Sequence, residues 1–357
     1  MEKRIAPLDA LRTFAAFGVV WIHSWTFTGN PSLKILHIDI YRLIAIVGNG
    51  VNFFFVISGF FMFIVISRKA FSFGTYAQFI FNRWKRIAPA YYVSAIVYAV
   101  YFLLHDHQYQ FFKLLLIDFS FLNNLFKEGN IISPYWSLGT EWHFYLLLPF
   151  LFISRNKNNF LKSLSFFALL SLLFLVIINL GLLDKDFWKP QIIARFIEFA
   201  WGCLAGYLYK NKLMLPKWMR SLQGVILAIV VMYTGRILMV TEIIERFGSF
   251  GWLARSFAEP VMTLGFGWFM YLMVVEKNRL SDFLSKPFFT YFGKLSYSVY
   301  LWHSFILLLL GNYQFTGASI PYLNSLLVFF IVSVCSVFIA HFSFLFFEAP
   351  YFKSKKL

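Results

Sequence analysis

An arginine and a histidine in the first apolar segment have the residue types and spacing for proton-transfer chemistry. Arg12 and His23 are eleven residues apart in a segment that is mostly apolar from residue 7 to 28. At about 100° per residue, this spacing brings both side chains to one face of a helix, with His23 roughly 16 Å deeper. Asp9 lies three residues before Arg12 and can pair with it. An imidazole with an ordinary pKa of about 6.5 suits a general base, although His23 can also simply hydrogen-bond a neighbouring helix.

A carboxylate interrupts the fourth apolar segment. Ser137, Glu141 and Tyr145 recur at every fourth position, just after Trp136, and therefore share one face of a helix. Ionisable groups inside a membrane span are costly and usually mark a site, an ion pathway or a buried ion pair. Glu141 can orient an imidazole or bind a substrate hydroxyl, or it can be a structural buried group.

Two further segments carry polar residues at helical spacing. Ser296, Tyr300 and His303 form a polar stripe on one face of the ninth apolar segment, which indicates either a site or hydrogen bonds between helices. In the second segment Ser58 is followed by Gly59, a pair of small residues that lets two helices approach closely.

The most basic connecting segment contains Arg83, Lys85 and Arg86. On a helix Arg83 and Arg86 share a face, and two guanidinium forks can hold phosphate groups bidentately. The alternative is that these cations only anchor the segment on the cytoplasmic side. Two other intramembrane groups favour structural roles: Arg195 is expected to pair with Glu198, and Glu259-Pro260 is expected to pair at a helix break.

The amino-acid composition predicts that these groups are held by a membrane protein. Of the 357 residues 60% are hydrophobic and 13% are charged, whereas soluble domains have about 25% charged residues. A helix that crosses the bilayer needs about 20 apolar residues. The sequence therefore predicts an all-α polytopic membrane protein with about ten transmembrane helices, organised as one membrane domain over residues 1–357. The predicted apolar runs are 7–28, 43–66, 88–104, 136–154, 164–183, 190–209, 221–240, 256–275, 288–310 and 323–347.

The placement of Lys and Arg predicts the topology. Alternate connecting segments, beginning with the N-terminus, hold 20 of these residues, and the other set holds 8. Because Lys and Arg stay on the cytoplasmic side, both termini are predicted to be cytoplasmic. The net charge of +16 then reflects topology and attraction to anionic lipid headgroups.

Two classes of site are not expected. No basic face or DNA-reading motif accompanies the net charge, so nucleic acid is not an expected partner. Cys203 and Cys335 both lie inside apolar runs without metal-ligand spacing, so neither a disulfide framework nor a metal site is predicted.

With these residues identified, the chain resembles the acyltransferase-3 family of bacterial membrane O-acyltransferases along nearly its whole length. Seven short motifs occur in the family's order, and together they are specific. They are Arg-x10-His at Arg12 and His23, Phe-Phe-x-x-Ser-Gly-Phe at 54–60, Arg-x-x-Arg at Arg83 and Arg86, Trp-Ser-Leu-x-x-Glu at 136–141, Arg-Phe-x-x-Phe-x-x-Gly at 195–202, Ser-Tyr-Ser-x-Tyr-Leu-Trp-His at 296–303 and Phe-Glu-x-Pro at 347–350. Ala10 and Thr13 stand where the family often has glycine, and both are small enough to preserve close packing.

The resemblance implies the substrates and the location. The donor is expected to be cytoplasmic acyl-CoA, often acetyl-CoA, with no permanently bound cofactor. The acceptor is expected to be a hydroxyl of a surface polysaccharide such as lipopolysaccharide O-antigen, an exopolysaccharide or a lipid-linked glycan precursor. The protein is expected to lie in the bacterial inner membrane. Some family members carry a fused extracytoplasmic hydrolase-like domain, which is not expected here because the chain ends soon after the tenth predicted helix.

The resemblance also implies a mechanism. Arg83 and Arg86, with Lys85, are expected to hold the coenzyme A phosphates, and Arg12 is an alternative donor ligand. His23 is expected to act as the general base or as a transient acyl carrier, and a serine is the other possible carrier. Glu141 is expected to fix the tautomer of His23 or to hold the acceptor. The other predicted pocket residues are Asp9, Ser58, Trp136, Ser137, Ser296, Tyr300 and His303.

Two other classes of function fit the same architecture. A secondary transporter or flippase would also have many helices and buried charges, but transporters often contain inverted repeats, and no internal repeat is visible. A non-catalytic membrane sensor or assembly protein would not need an arginine pair together with a buried histidine.

Overall fold

A computed structural model of the chain describes residues 5–32, 34–35, 38–39, 44–68, 72–105, 110–127, 129–152, 157–240, 244, 247–311 and 321–354. These residues form fifteen α-helices and one pair of two-residue strands. The helices are α1 Ala6–Phe27, α2 Gly50–Ile66, α3 Phe73–His105, α4 Phe111–Phe119, α5 Trp136–Leu147, α6 Lys157–Asn179, α7 Lys185–Trp188, α8 Ile192–Lys210, α9 Lys217–Arg220, α10 Leu222–Ile237, α11 Gly251–Val275, α12 Arg279–Leu284, α13 Pro287–Leu310, α14 Pro321–Ser343 and α15 Ala349–Ser354. The antiparallel strands are β1 Lys34–Ile35 and β2 Ile38–Asp39. Short 3₁₀ segments are Ala45–Asn49, Asn123–Leu125, Ser133–Tyr135, Leu148–Phe152 and Gly248–Phe250, and a π-helical turn covers Phe344–Glu348.

The predicted helical membrane architecture is confirmed, and each of the ten predicted apolar runs contains a helix. Among the described residues, six helical segments are long and apolar enough to cross a bilayer. Large apolar side chains remain more than half exposed on the outer faces of α6 and α14, including Phe166, Leu169, Phe330 and Phe338. Such faces are unfavourable in water and suit hydrocarbon. The chain is therefore a multi-pass membrane protein.

Two predicted boundaries are wrong. Helix α3 begins at Phe73, well before the predicted start at residue 88, so the basic segment at residues 83–86 is helical. The helix break predicted at Pro260 does not occur, because α11 runs through this residue from Gly251 to Val275. A proline removes one backbone donor, and a membrane helix tolerates this when its neighbours satisfy the freed groups.

One compact unit contains residues 1–51, 85–109 and 279–357. Its centre is the packing of α1 against α13, with α14 packed on both. The two backbones approach so closely that a Cβ atom at Gly293 would lie 2.5 Å from the carbonyl oxygen of Asp9. This contact brings one face of α1 against the polar stripe of α13.

The other compact unit contains residues 52–84 and 110–278. In it α11 packs on α6, α8 and α10, and α5 packs on α8. Helices α2 and α8 meet through glycine, since a Cβ atom at Gly202 would lie 1.9 Å from the carbonyl oxygen of Val56. The contact explains why each of these two short motifs contains a glycine: Gly59 and Gly202 lie on the facing backbones of one helix pair.

Candidate functional site

The imidazoles of His23 and His303 meet where α1 packs on α13. The Nδ1 atom of His23 lies 2.7 Å from the Nε2 atom of His303, and the ring planes are 10° apart. His303 is completely buried, whereas His23 is partly exposed. On its other side, His303 places Nδ1 2.6 Å from the backbone carbonyl oxygen of Tyr300. The two imidazoles and the carbonyl thus form one chain of hydrogen bonds.

The carbonyl group at the end of this hydrogen-bond chain determines the tautomers of both histidines. A carbonyl oxygen can only accept, so Nδ1 of His303 carries a proton and its Nε2 accepts. His23 must therefore donate from Nδ1, which leaves a lone pair on its Nε2 atom. The hydroxyl of Ser304 lies 3.0 Å from the same nitrogen of His303 and can donate to it. A histidine whose ring is oriented and whose tautomer is fixed by a second group is the arrangement of a general base.

The histidine pair is a hydrogen bond rather than a metal site. A tetrahedral zinc ion about 2.0 Å from each of two nitrogen ligands would hold them roughly 3.3 Å apart, and the observed separation is 2.7 Å. Within the described part of the chain, no group of three or more His, Cys, Asp or Glu side chains is arranged to hold a metal ion.

The other predicted residues of α1 and α13 lie elsewhere along the same two helices. Ser296 donates to the carbonyl oxygen of Gly293 at 2.9 Å, and Tyr300 contributes its carbonyl group. Asp9 is buried, and its backbone packs against Gly293. Arg12 is half-buried one turn further along α1. The structure therefore brings His303, and not the whole stripe, to His23.

Glu141 accepts hydrogen bonds from two hydroxyl groups. Ser58 donates to Oε1 of Glu141 at 2.6 Å, and the hydroxyl of Tyr145 donates to the same oxygen. The two hydroxyl oxygens are 3.1 Å apart. A carboxylate in this position can orient both hydroxyls and can take a proton from either. The sequence predicts that Glu141 orients an imidazole or binds a substrate hydroxyl. The described partners of Glu141 are instead hydroxyls of the protein itself, and His303 is the group bonded to Nδ1 of His23.

Arg86 is held by an internal carboxylate. Its Nη1 atom pairs with Glu348, which is completely buried in the π-helical turn. Glu348 also accepts from Ser298 at 2.6 Å. The guanidinium carbon of Arg86 lies 5.7 Å from the ring centre of Tyr297. One edge of the Arg86 guanidinium is therefore already occupied by an ion pair inside the protein.

The other two predicted donor ligands lie on the same helix, α3. The guanidinium carbon of Arg83 lies 5.9 Å from the ring centre of Phe79, and the residue is half-buried. Lys85 is exposed. Arg86, the third cation on α3, pairs with Glu348 in the π-helical turn.

A second buried charge cluster confirms the predicted pairing of Arg195 with Glu198. The distance between Nη1 of Arg195 and Oε1 of Glu198 is 2.8 Å. Arg195 also pairs with Glu259 at 3.0 Å, and Lys189 reaches Glu259 at 3.1 Å. Asn52 donates to Glu198 at 3.1 Å. Two cations and two anions balance in this cluster, which indicates a structural role.

The start of α5 is anchored by the same cluster. The guanidinium carbon of Arg195 lies 5.1 Å from the ring centre of Trp136, at cation–π distance. Ser137 donates to the carbonyl oxygen of Pro134 at 3.2 Å, so its hydroxyl serves the first turn of the helix. Trp136 is half-buried and retains exposed surface.

Several contributors to these clusters were not predicted as site residues, among them Tyr145, Glu348 and Asn52. The sequence contained a signal for the first two. Tyr145 continues the stripe of Ser137 and Glu141, and Glu348 is the acidic residue of the Phe-Glu-x-Pro motif. Asn52 stands just before the Phe-Phe-x-x-Ser-Gly-Phe motif, and no spacing rule connects it to Glu198.

Comparison with known proteins gives one family match and two informative relatives. The family model described as an acyltransferase domain matches residues 5–343. A protein of the Acidianus two-tailed virus named as an acetyltransferase is 26% identical over 317 residues, which cover 87% of this chain and 86% of that protein. The peptidoglycan O-acetyltransferase OatA of Listeria monocytogenes is 25% identical over 330 residues, which cover 85% of this chain and 49% of that protein. No solved structure is significantly similar to the chain.

Proposed function

The chain belongs to the acyltransferase family of that model and is a membrane acyltransferase, and from this premise we propose that it moves an acetyl group from acyl-CoA to a glycan hydroxyl, with His23 as general base. The observation that carries the role of His23 is its hydrogen bond to His303. That bond leaves the Nε2 lone pair of His23 available for a proton.

The proposed acceptor is a hydroxyl of a cell-surface glycan. The name of the Listeria relative, a peptidoglycan O-acetyltransferase, supports an acceptor of this class. Lipopolysaccharide O-antigen, exopolysaccharide and lipid-linked glycan precursors are the other members of the class. The proposed location is the bacterial cytoplasmic membrane, crossed by about ten helices with both termini in the cytoplasm.

The proposed reaction is a single acyl transfer. The acceptor oxygen attacks the carbonyl carbon of the thioester while Nε2 of His23 takes its proton. The carbon–sulfur bond then breaks, and the proton passes to the departing coenzyme A thiolate. Proton transfer of this kind typically accelerates a reaction by about 10²–10⁴-fold. In a two-step variant, the same lone pair of His23, or the Ser58 hydroxyl held by Glu141, carries the acyl group before the acceptor takes it.

The proposed donor ligands are cations on the predicted cytoplasmic side. Arg83 and Lys85 supply positive charge for the coenzyme A phosphates, and Arg12 supplies it from α1. Arg86 can contribute only the guanidinium edge that Glu348 does not occupy, because its Nη1 atom pairs with that carboxylate. The donor is a co-substrate that leaves after each cycle.

Removal of the imidazole tests this function directly. In His23→Ala the acceptor loses its base, and we expect transfer from acetyl-CoA to fall by at least about 100-fold. Added imidazole should restore part of the activity if the cavity left by the side chain admits it, because it supplies the same lone pair. Transfer is measured by the release of coenzyme A thiol with purified protein in nanodiscs. Undiminished transfer in the folded His23→Ala protein would refute the mechanism.

A further inference from the structure

A cavity of about 200 Å³ lies in the unit that contains residues 52–84 and 110–278. Its walls come from the segment before α5 and from the segment around α7. The charge pattern assigns both segments, 105–135 and 184–189, to the extracytoplasmic side. Trp136, the first residue of α5, lines the cavity together with Phe187.

The charged groups of this cavity exclude a phosphate ligand. Asp184 and Asp186 line it with a single cation, Lys127. The Nζ atom of Lys127 lies 2.8 Å from Oδ2 of Asp184. The hydrogen bond from Lys127 holds the pKa of the Asp184 carboxyl below its usual range. At neutral pH the lining therefore carries one more negative than positive charge, which repels coenzyme A and favours an uncharged ligand that donates hydrogen bonds.

Buried amide groups fix the shape of the cavity. Asn124 donates through Nδ2 to the carbonyl oxygen of Trp136 at 2.7 Å and to the hydroxyl of Thr140 at 2.8 Å. Thr140 donates to the carbonyl oxygen of Pro190 at 2.6 Å. Gln191 donates to the carbonyl oxygen of Phe187 at 3.1 Å. These bonds tie both walls to α5 and α8, so the cavity is formed before a ligand arrives, and little ordering cost remains for binding.

The side-chain amide of Asn124, which links the two walls, also contains a hydrogen-bond acceptor with no donor among the described residues. The Oδ1 atoms of Asn124 and its neighbour Asn123 are buried and have no hydrogen-bond partner among the described residues. A buried acceptor without a donor is unfavourable. Asn124 lines the cavity, so its carboxamide lies beside the space that a ligand would fill.

We propose that this cavity binds a neutral sugar ring of the glycan acceptor, on the extracytoplasmic side. A pyranose has an apolar face of C–H groups and an edge of hydroxyls. Trp136 and Phe187 match the apolar face, and the carboxylates of Asp184 and Asp186 accept from the hydroxyls. The identification of the bound sugar as the acceptor rests on the proposed function. Sugar binding itself can be measured without acyl transfer.

The first experiment measures binding in the absence of donor. Purified protein in nanodiscs is titrated with neutral oligosaccharides, namely chitotetraose, maltotetraose and mannotetraose, by saturation-transfer NMR. We expect saturable binding of at least one of them, and a Kd raised at least about tenfold in Asp186→Asn and in Phe187→Ala. The matched control is Asp282→Asn on α12, which removes an equal charge from an exposed residue outside the cavity. An equal Kd in the cavity variants and the control, or no saturable binding of any probe, overturns the proposal. Displacement of the sugar by inorganic phosphate also overturns it.

The second experiment separates this proposal from the proposed function. With acetyl-CoA and the oligosaccharide that binds, the cavity variants should raise the acceptor KM and leave the donor KM unchanged. Saturable sugar binding without any acyl transfer by the wild type would refute the proposed function and retain the cavity. Transfer with an unchanged acceptor KM in both cavity variants would refute the cavity and retain the function.

Discussion

At the scale of single residues, the candidate base is oriented by a second imidazole where many enzymes use a carboxylate. A neutral acceptor stabilises the imidazolium less than a carboxylate would, but it introduces no second buried charge in a membrane. The neutral acceptor also fixes the tautomer of His23, since the Nδ1 proton of His303 is donated to the carbonyl oxygen of Tyr300.

We predict that His303→Ala lowers kcat by about 10–100-fold, the range found when the group behind a functional histidine is removed. The donor KM should change little, because His303 is buried behind the base. His303→Gln should lower kcat less than His303→Ala does, since a carboxamide oxygen can accept a hydrogen bond from Nδ1 of His23. Steady-state kinetics with acetyl-CoA provide the measurement.

The matched control for His303 is His341→Ala in the same unit. His341 bonds the hydroxyl of Tyr291 at 2.9 Å and has no assigned part in the chemistry, so its loss should leave kcat near the wild-type value. If both alanine variants lose activity equally, the effect of His303 is a general loss of packing and the tautomer assignment is wrong.

The sequence predicts His23 and His303 separately but not as partners. Each stands out because an ionisable group in an apolar run is costly. Their contact depends on the packing of α1 against α13, two helices 280 residues apart at these positions, and helical spacing carries no information about pairing between helices. The same reason explains why Glu141 was expected at an imidazole while its described partners are hydroxyls.

At the scale of helices, α3 shows that two arginines one turn apart need not share a role. The sequence treats Arg83 and Arg86 as an equivalent phosphate clamp. The structure gives Arg86 a buried ion pair with Glu348, which ties α3 to the turn after α14.

We predict that Arg83→Lys and Arg86→Lys behave differently. Arg83→Lys should raise the donor KM several-fold with kcat nearly unchanged, because an ammonium lacks the planar fork for phosphate. Arg86→Lys should instead lower the thermal stability, since Glu348 is completely buried and loses a well-placed partner. Acetyl-CoA titrations and thermal unfolding in detergent measure the two effects.

The control for this pair is Arg220→Lys. Arg220 also pairs with a glutamate, Glu276, at 2.7 Å, but both side chains are partly exposed, so the substitution should change neither KM nor stability appreciably. An unchanged donor KM in Arg83→Lys would leave Arg83 as a topological anchor and make Arg12 the next donor ligand to test.

The contact between α2 and α8 gives a prediction about packing. Gly202→Ala would place a methyl group 1.9 Å from the carbonyl oxygen of Val56, so the helices must separate. Overpacking of this kind typically costs about 1–3 kcal/mol. Gly267→Ala is the control, because its nearest neighbour would lie 3.4 Å away, at ordinary contact distance. Thermal unfolding should show a loss for Gly202→Ala alone, and equal unfolding temperatures would contradict the close approach.

At the scale of the whole molecule, the arrangement of charge along the chain predicts the topology. A reporter inserted in segment 110–127 should be extracytoplasmic, and a reporter fused after the last residue, Leu357, should be cytoplasmic. Alkaline phosphatase and green fluorescent protein fusions distinguish the two sides. Reporters on the same side would mean an odd number of errors in the count of spans, and the donor and acceptor sides would then have to be reassigned.

The helical type of the predicted apolar runs follows from the sequence because long apolar runs can satisfy their backbone groups in lipid only as helices. The ends of the helices are predicted less well from the sequence. The start of α3 lies in a basic, amphipathic stretch that hydropathy alone does not recognise as helix. The cavity beside Trp136 could not be predicted, since its walls come from segments about 60 residues apart whose meeting depends on buried amides such as Asn124 and Gln191.

The hydrogen-bond chain that begins at His23 stops at the backbone carbonyl of Tyr300. A carbonyl oxygen carries no exchangeable proton, so a proton that arrives at Nε2 of His23 has no outlet through Tyr300. In the proposed mechanism the proton leaves from the nitrogen at which it arrived, in the same catalytic cycle. In the proposed mechanism the histidine pair therefore returns each proton at the atom that received it, and acyl transfer neither consumes nor dissipates the electrochemical gradient of the membrane.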